Sequence, residues 1–271
     1  MSMKYDPIKR SLGKVFNSTP FLRITFYKLL DLLLLRTWHI KRELKKIRQD
    51  MGGEINVLDA GSGFGQYSYY MSSLGKNWNI NGVDLKEEQM EDCRKFFRNI
   101  GRSDRVSFQK ADLETFKNPD KYDLILSVDV MEHIEKDVEV FKNFHESLKD
   151  GGVLLINTPS DMGGSDVHDD DDHSFIDEHV RDGYNMNEMH DKLKYAGFSH
   201  VYLHYAYGKP GKISWRLSMK YPISMLNVSK IFFILLPFYY LVTFPICLIL
   251  NKMDVNGTHE TGTGLIVKAK K

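Results

Sequence analysis

Apolar residues along this chain follow two alternating rhythms. Short, nearly continuous apolar runs stop at an acid or a glycine, and longer stretches carry apolar residues three and four apart. Runs at residues 55–58, 78–83, 105–110, 122–128, 152–157 and 199–207 predict strands. YDLILSV at 122–128 is almost unbroken, as expected for a strand buried on both faces. Residues 66–74, 86–99, 138–148 and 184–195 predict the intervening helices. The alternation of strand and helix predicts a doubly wound α/β fold around a parallel sheet.

The first strand, Ile55, Val57 and Leu58, ends at Asp59, and Gly61, Gly63 and Gly65 follow at alternate positions. Glycine permits positive φ and lets a ligand approach the backbone. Strand, glycine turn and helix make a ligand-binding turn at the carboxyl end of a parallel strand. Taken alone, this turn also fits other nucleotide-binding doubly wound domains. The second strand ends at Asp84, where one carboxylate can accept from both ribose hydroxyls or cap the helix at 86–99, or do both.

The spacing Asp-x-Gly-x-Gly-x-Gly is not the G-x-G-x-x-G of a dinucleotide site. It resembles the first motif of the class I S-adenosylmethionine (SAM) methyltransferases. Ala111-Asp112-Leu113 after the third strand resembles that family's adenine motif, and residues 264–270 look like its short final strand, antiparallel beside the sixth. The resemblance implies SAM as cofactor and a Rossmann-like, mostly parallel seven-stranded sheet. It implies cofactor contacts from Asp59, Gly61, Gly63, Gly65, Gln66, Asp84, Leu85, Asp112, Leu113 and Asp129.

Two stretches lie outside the alternation. In residues 21–49, Phe26, Leu29, Leu30, Leu33, Ile40, Leu44 and Ile47 recur at helical spacing, with Arg36, Lys41, Arg42, Lys45 and Lys46 on the remainder. This predicts a helix, or two, that caps the sheet or lies on an anionic membrane. Residues 231–251, IFFILLPFYYLVTFPICLILN, carry no charge and approach the roughly 20 residues of a membrane span. Pro237 and Pro245 argue against one straight helix, and Lys220, Lys230 and Lys252 flank the stretch on both sides. Residues 264–270 must return to the sheet, so a single span would strand them across the bilayer. The insertion is therefore expected to be a re-entrant or in-plane pair of apolar helices, or a buried element packed on residues 29–35 or on a second copy. The expected divisions are a basic helical segment (1–50), a SAM-binding core (51–210), an apolar insertion (211–257) and the final strand (258–271).

Composition adds little except where charge is uneven. A net charge of +1 over 271 residues gives no general argument for nucleic acid. Cys93 and Cys247 suggest neither zinc nor a disulfide, and a reducing, cytoplasmic setting fits. The polar N-terminus gives no expectation of a cleavable signal peptide. Residues 1–50 hold twelve Lys/Arg against four Asp/Glu, whereas residues 161–182 hold nine acids against Arg181. Such a division suggests two surfaces with different tasks.

Candidate chemistry follows the fourth strand. Glu132-His133 sits where the switch-point crevice opens. The resemblance, here closest to the ubiquinone-biosynthesis O-methyltransferases, puts this pair near the sulfonium. His133 suits a general base toward a phenol; alternatively, both residues only shape the pocket. The loop with His168, Asp169–Asp172, His173, Glu178, His179 and Arg181 is read as a solvated acidic loop with no metal. The resemblance puts His179 close to the substrate. Together these predict a SAM-dependent methyltransferase for an apolar, membrane-associated small molecule: a quinone or phenol, polyene, aryl lipid or isoprenoid. The expected site is the cytoplasmic membrane, as a peripheral or monotopic protein. The alternative is a SAM-binding, non-catalytic membrane partner in an assembly pathway. Nucleic-acid methylation is not expected, because no N-P-P-Y motif follows the fourth strand and the facing loop is acidic.

Overall fold

The computed structural model describes residues 19–162, 180–229 and 231–271. Its strands β1 (Ile55–Ala60), β2 (Trp78–Asp84), β3 (Val106–Lys110), β4 (Tyr122–Val128), β5 (Leu148–Pro159), β6 (His200–Ala206) and β7 (Gly264–Lys270) form one sheet in the order β3-β2-β1-β4-β5-β7-β6. All pairs are parallel except those of β7, which runs antiparallel to both β5 and β6. This is the Rossmann-like sheet expected from the sequence. Strand order reverses between β1 and β4, which opens a crevice beyond their carboxyl ends.

Successive strand residues point to opposite faces, so Val57 and Leu58 belong to different cores. One face packs under α1 (Pro20–Leu33), α2 (Leu35–Asp50), α3 (Gln66–Leu74) and α4 (Glu87–Asn99), through Tyr27, Leu44, Met71 and Phe97. The other packs under α5 (Asp137–Ser147) and α6 (Met186–Tyr195), through Phe141, Phe144 and Leu193. The N-terminal segment is thus two helices, broken where Leu34 turns extended.

The insertion leaves the sheet at a particular edge. β5 and β6 run in the same direction, since both are antiparallel to β7. Ala206 therefore ends at the edge where Ala60 and Val128 end. From there α7 (Lys209–Trp215), a π-helical segment (Arg216–Lys220) and α8 (Tyr221–Val228) run outward, and α9 (Phe232–Asn256) returns. The sequence predicts a break at the prolines, yet α9 is one helix through Pro237 and Pro245. Each proline removes a single ladder bond, and the long ladder tolerates the loss. Only the returning arm has a long uncharged run, from Phe232 to Asn251, and neither arm is buried in the core. The hairpin root is fixed by buried Asp254, which accepts from Tyr207 N at 3.1 Å and Gly211 N at 3.0 Å and faces His39 Nε2 at 2.8 Å.

Candidate active site

The crevice is floored by the glycine turn. Gly61, Gly63 and Gly65 have φ of +76°, +51° and +80°, all in the left-handed region. A Cβ on Gly61 would lie 2.3 Å from Val130 Cγ2, and one on Gly65 3.1 Å from Cys93 Sγ. A Cβ on Gly63 would meet only Gln89 Oε1, at 4.0 Å. Packing accounts for the outer two glycines, whereas Gly63 faces open space.

Asp59, next to last in β1, is buried, with Ser68 Oγ donating to its carboxylate at 2.5 Å. Burial pushes this carboxyl up to about 6; the Ser68 bond opposes the shift and Asp84 adds to it. The folded value lies above the unfolded one, so its stabilising effect is complete at low pH and is lost as pH rises toward 6. Without ligand, Asp59→Asn should match the parent in thermal unfolding near pH ~4 and exceed it near pH ~8 by up to about 3 kcal/mol. A stability difference that does not change with pH would contradict this.

Asp84 accepts from Gly63 N and from Lys86 N, both at 3.0 Å. One carboxylate offers about four acceptor positions, so two remain for a vicinal diol. Its side chain does not cap α4. Leu85 follows with 61% exposure, an apolar surface beside that acid. Asp112 accepts from Glu114 N at 2.9 Å in a tight turn, and Leu113 is buried behind it. Gln66 is turned away, donating to Asp31 of α1 at 2.8 Å.

The opposite wall is polar and crowded. Asp129 has φ +51°, a strained backbone for a non-glycine residue. Its carboxylate accepts from Asn157 Nδ2 at 2.6 Å and pairs with the Arg36 guanidinium from α2. Arg36 N also donates to Tyr207 Oη, at 2.7 Å. Tyr67 Oη, Ser127 Oγ and Asn157 Oδ1 are buried, with no hydrogen-bond partner among the described residues. Asn157 and Tyr207 are not singled out by sequence, and Arg36 reads only as part of the basic face of residues 21–49. The available signal was a lone arginine inside the LLLLRTW run.

Met131–His133 form one 3₁₀ turn beyond β4. Glu132 is buried and accepts from Thr158 Oγ1 at 3.0 Å. Burial beside Asp129 pushes its carboxyl up to about 8. His133 is half-buried. The turn is braced from below: Tyr184 Oη lies 3.0 Å from Met131 O, and Arg181 Nη2 donates to Ile134 O at 2.7 Å. His179 and the acidic run lie outside the described residues. Val180 N donates to Glu132 O at 3.0 Å.

The sequence profile of a methyltransferase domain matches residues 52–209. The chain belongs to that methyltransferase family. SAM is its cofactor, and the turn has the features such a ligand needs: an open glycine, an acid with spare acceptor positions, and buried polar atoms awaiting partners. Phosphoethanolamine N-methyltransferase 1 of Zea mays is 32% identical over 146 residues, 54% of this chain. That stretch is 28% of the maize enzyme, so this methyltransferase spans well under two thirds of its relative. A ubiquinone biosynthesis O-methyltransferase of Rickettsia canadensis is 22% identical over 109 residues, 40% of this chain and 44% of that one. Among solved structures, the Haemonchus contortus phosphoethanolamine N-methyltransferase 2, with phosphomonomethylethanolamine and S-adenosylhomocysteine, superposes with TM-score 0.58. The identity is 17%, over 85% of this methyltransferase and 52% of that chain, a likeness of fold.

Proposed function

We propose that this methyltransferase acts on an apolar small molecule held in the cytoplasmic membrane, and transfers the methyl group to oxygen. The observation that supports this reading is the position of the hairpin. Its apolar arm, α9, is long and apolar enough to cross a membrane, and it returns to the sheet edge that carries Asp59, Asp84 and Asp129. An acceptor dissolved in lipid would meet the crevice where the hairpin leaves it.

When bound, SAM supplies an electrophilic methyl group on a sulfonium. Asp84 would hold the ribose, Asp112 and Leu113 would meet the adenine, and Asp59, Asp129 and Arg36 would order the amino-acid end. In-line displacement depends largely on positioning. His133 takes the acceptor's proton as its oxygen attacks. Glu132, protonated at neutral pH, shapes the wall behind it; His179 holds the acceptor.

The test supplies SAM with a labelled methyl group, together with a membrane lipid extract or with phosphoethanolamine. Label is expected in the organic phase. Label in phosphoethanolamine alone would overturn the proposed substrate class.

A further inference from the structure

α9 is built inside out for water. Its protein-facing side carries the groups that can hydrogen-bond. Tyr239 and Tyr240 hydroxyls donate to Leu217 O and Ser218 O of the π-helical segment, at 2.7 and 2.8 Å. Cys247 Sγ lies 3.7 Å from Ser214 O, and Asp254 fixes the root. The opposite side carries Ile234, Phe238, Leu241, Val242 and Ile249, all exposed, with Leu241 at 75%. Their spacing of three and four residues marks one continuous face. It runs the whole length of the helix, from Phe233 beside the hairpin turn to Met253 at the root. A contiguous apolar face of this size marks an interaction surface.

Charge decides what covers it. From Lys192 to Met253 the sequence has no Asp or Glu. Over the same hairpin it has Lys209, Lys212, Arg216, Lys220, Lys230 and Lys252. The first four recur three and four apart along the outgoing arm, and Lys209 and Arg216 are exposed. A second copy seated on this face would bring two basic arms together, with no Asp or Glu between Lys192 and Met253 in either. An anionic surface complements the basic arm.

We propose that the hairpin is an in-plane docking element for an anionic phospholipid leaflet. α9 lies along the leaflet with its apolar face below the headgroups, and the basic arm lies beside the phosphates. A face that is apolar from turn to root suits a helix lying flat; a tip-first insertion would need apolar residues only near the turn. Long basic side chains can keep their stems on the apolar surface while their heads reach phosphate. The inference rests on the membrane part of the proposed function and needs no particular acceptor.

Flotation of the full chain with vesicles tests it. Vesicles of phosphatidylcholine with phosphatidylglycerol should bind the protein, and phosphatidylcholine alone should bind it far more weakly. Replacing Lys209, Lys212, Arg216 and Lys220 together by Gln should weaken binding to the mixed vesicles by about 10²-fold or more. Phe238→Asp with Leu241→Asp should abolish it, with SAM affinity kept as the sign of an intact fold. Single cysteines at Ile234, Leu241 and Ile249, fluorescently labelled, should show equal, shallow depth by quenching from nitroxide lipids. A gradient with Ile234 deepest would overturn the in-plane arrangement. A chain that ignores vesicles and forms a dimer through this face would overturn lipid docking. Neither result depends on methyl transfer, so failure of the proposed substrate class would be seen separately.

Discussion

Gly63→Val is expected to abolish SAM binding while the chain stays folded. Gly63 sits at φ +51°, and a side chain there costs about 1–2 kcal/mol, small against ordinary domain stability. The added carbons displace nothing of the protein, because the nearest atom to a Cβ is Gln89 Oε1 at 4.0 Å. They occupy the opening of the turn, where the cofactor must lie against the backbone. Gly61 is the contrast: a Cβ there drives into Val130, so its loss would disturb the fold itself. Asp84→Ala has the smaller effect. It leaves the ribose hydroxyls and Gly63 N without their acceptor, which should weaken binding by about 1–3 kcal/mol. Calorimetry on both variants decides: SAM bound as tightly as by the parent in each would move the site elsewhere.

His133→Ala is expected to lower turnover by about 10²–10⁴-fold with SAM affinity nearly unchanged. A phenolic acceptor has a pKa of about 10 and reaches the site protonated, so its proton must leave as the oxygen attacks. Two groups on the 3₁₀ turn compete for that task. Burial beside Asp129 pushes Glu132 up to about 8, which favours its protonated form at neutral pH and makes it the poorer base of the two. Thr158 Oγ1 donating to it fits a neutral acid as well as an ion. Glu132→Gln, which keeps shape and neutrality, should therefore leave most of the rate. Near-parental turnover in His133→Ala would take His133 out of the mechanism and favour a carbon or amine acceptor.

Much of this architecture is readable in the sequence because local pattern and global fold agree. Tyr122–Val128 is apolar apart from Asp123 and Ser127 because both its faces are covered, and Asp59 and Asp84 lie at or next to strand ends because acids stop buried runs. What could not be read depends on partners far along the chain. Arg36 and Asp129 are 93 residues apart, and nothing local to either announces the pair. Asp129 adopts the left-handed conformation, which aspartate tolerates without a sequence signature as clear as glycine. The break at Leu34 hides inside an apolar run that reads as helix throughout. Hydropathy identifies α9 as apolar, but only the folded hairpin shows that its hydroxyl and carboxyl groups face the protein.

The central claim joins the cofactor crevice to the membrane through the hairpin. It is tested most directly by labelled methyl transfer into vesicle-held lipid extract, comparing the parent with the variant carrying Phe238→Asp and Leu241→Asp. The variant is expected to bind SAM like the parent and to label the lipid at least about tenfold more slowly, the kinetic equivalent of about 1.4 kcal/mol. Equal labelling by the two proteins would contradict the claim, because the acceptor would then reach the site without the apolar face of α9.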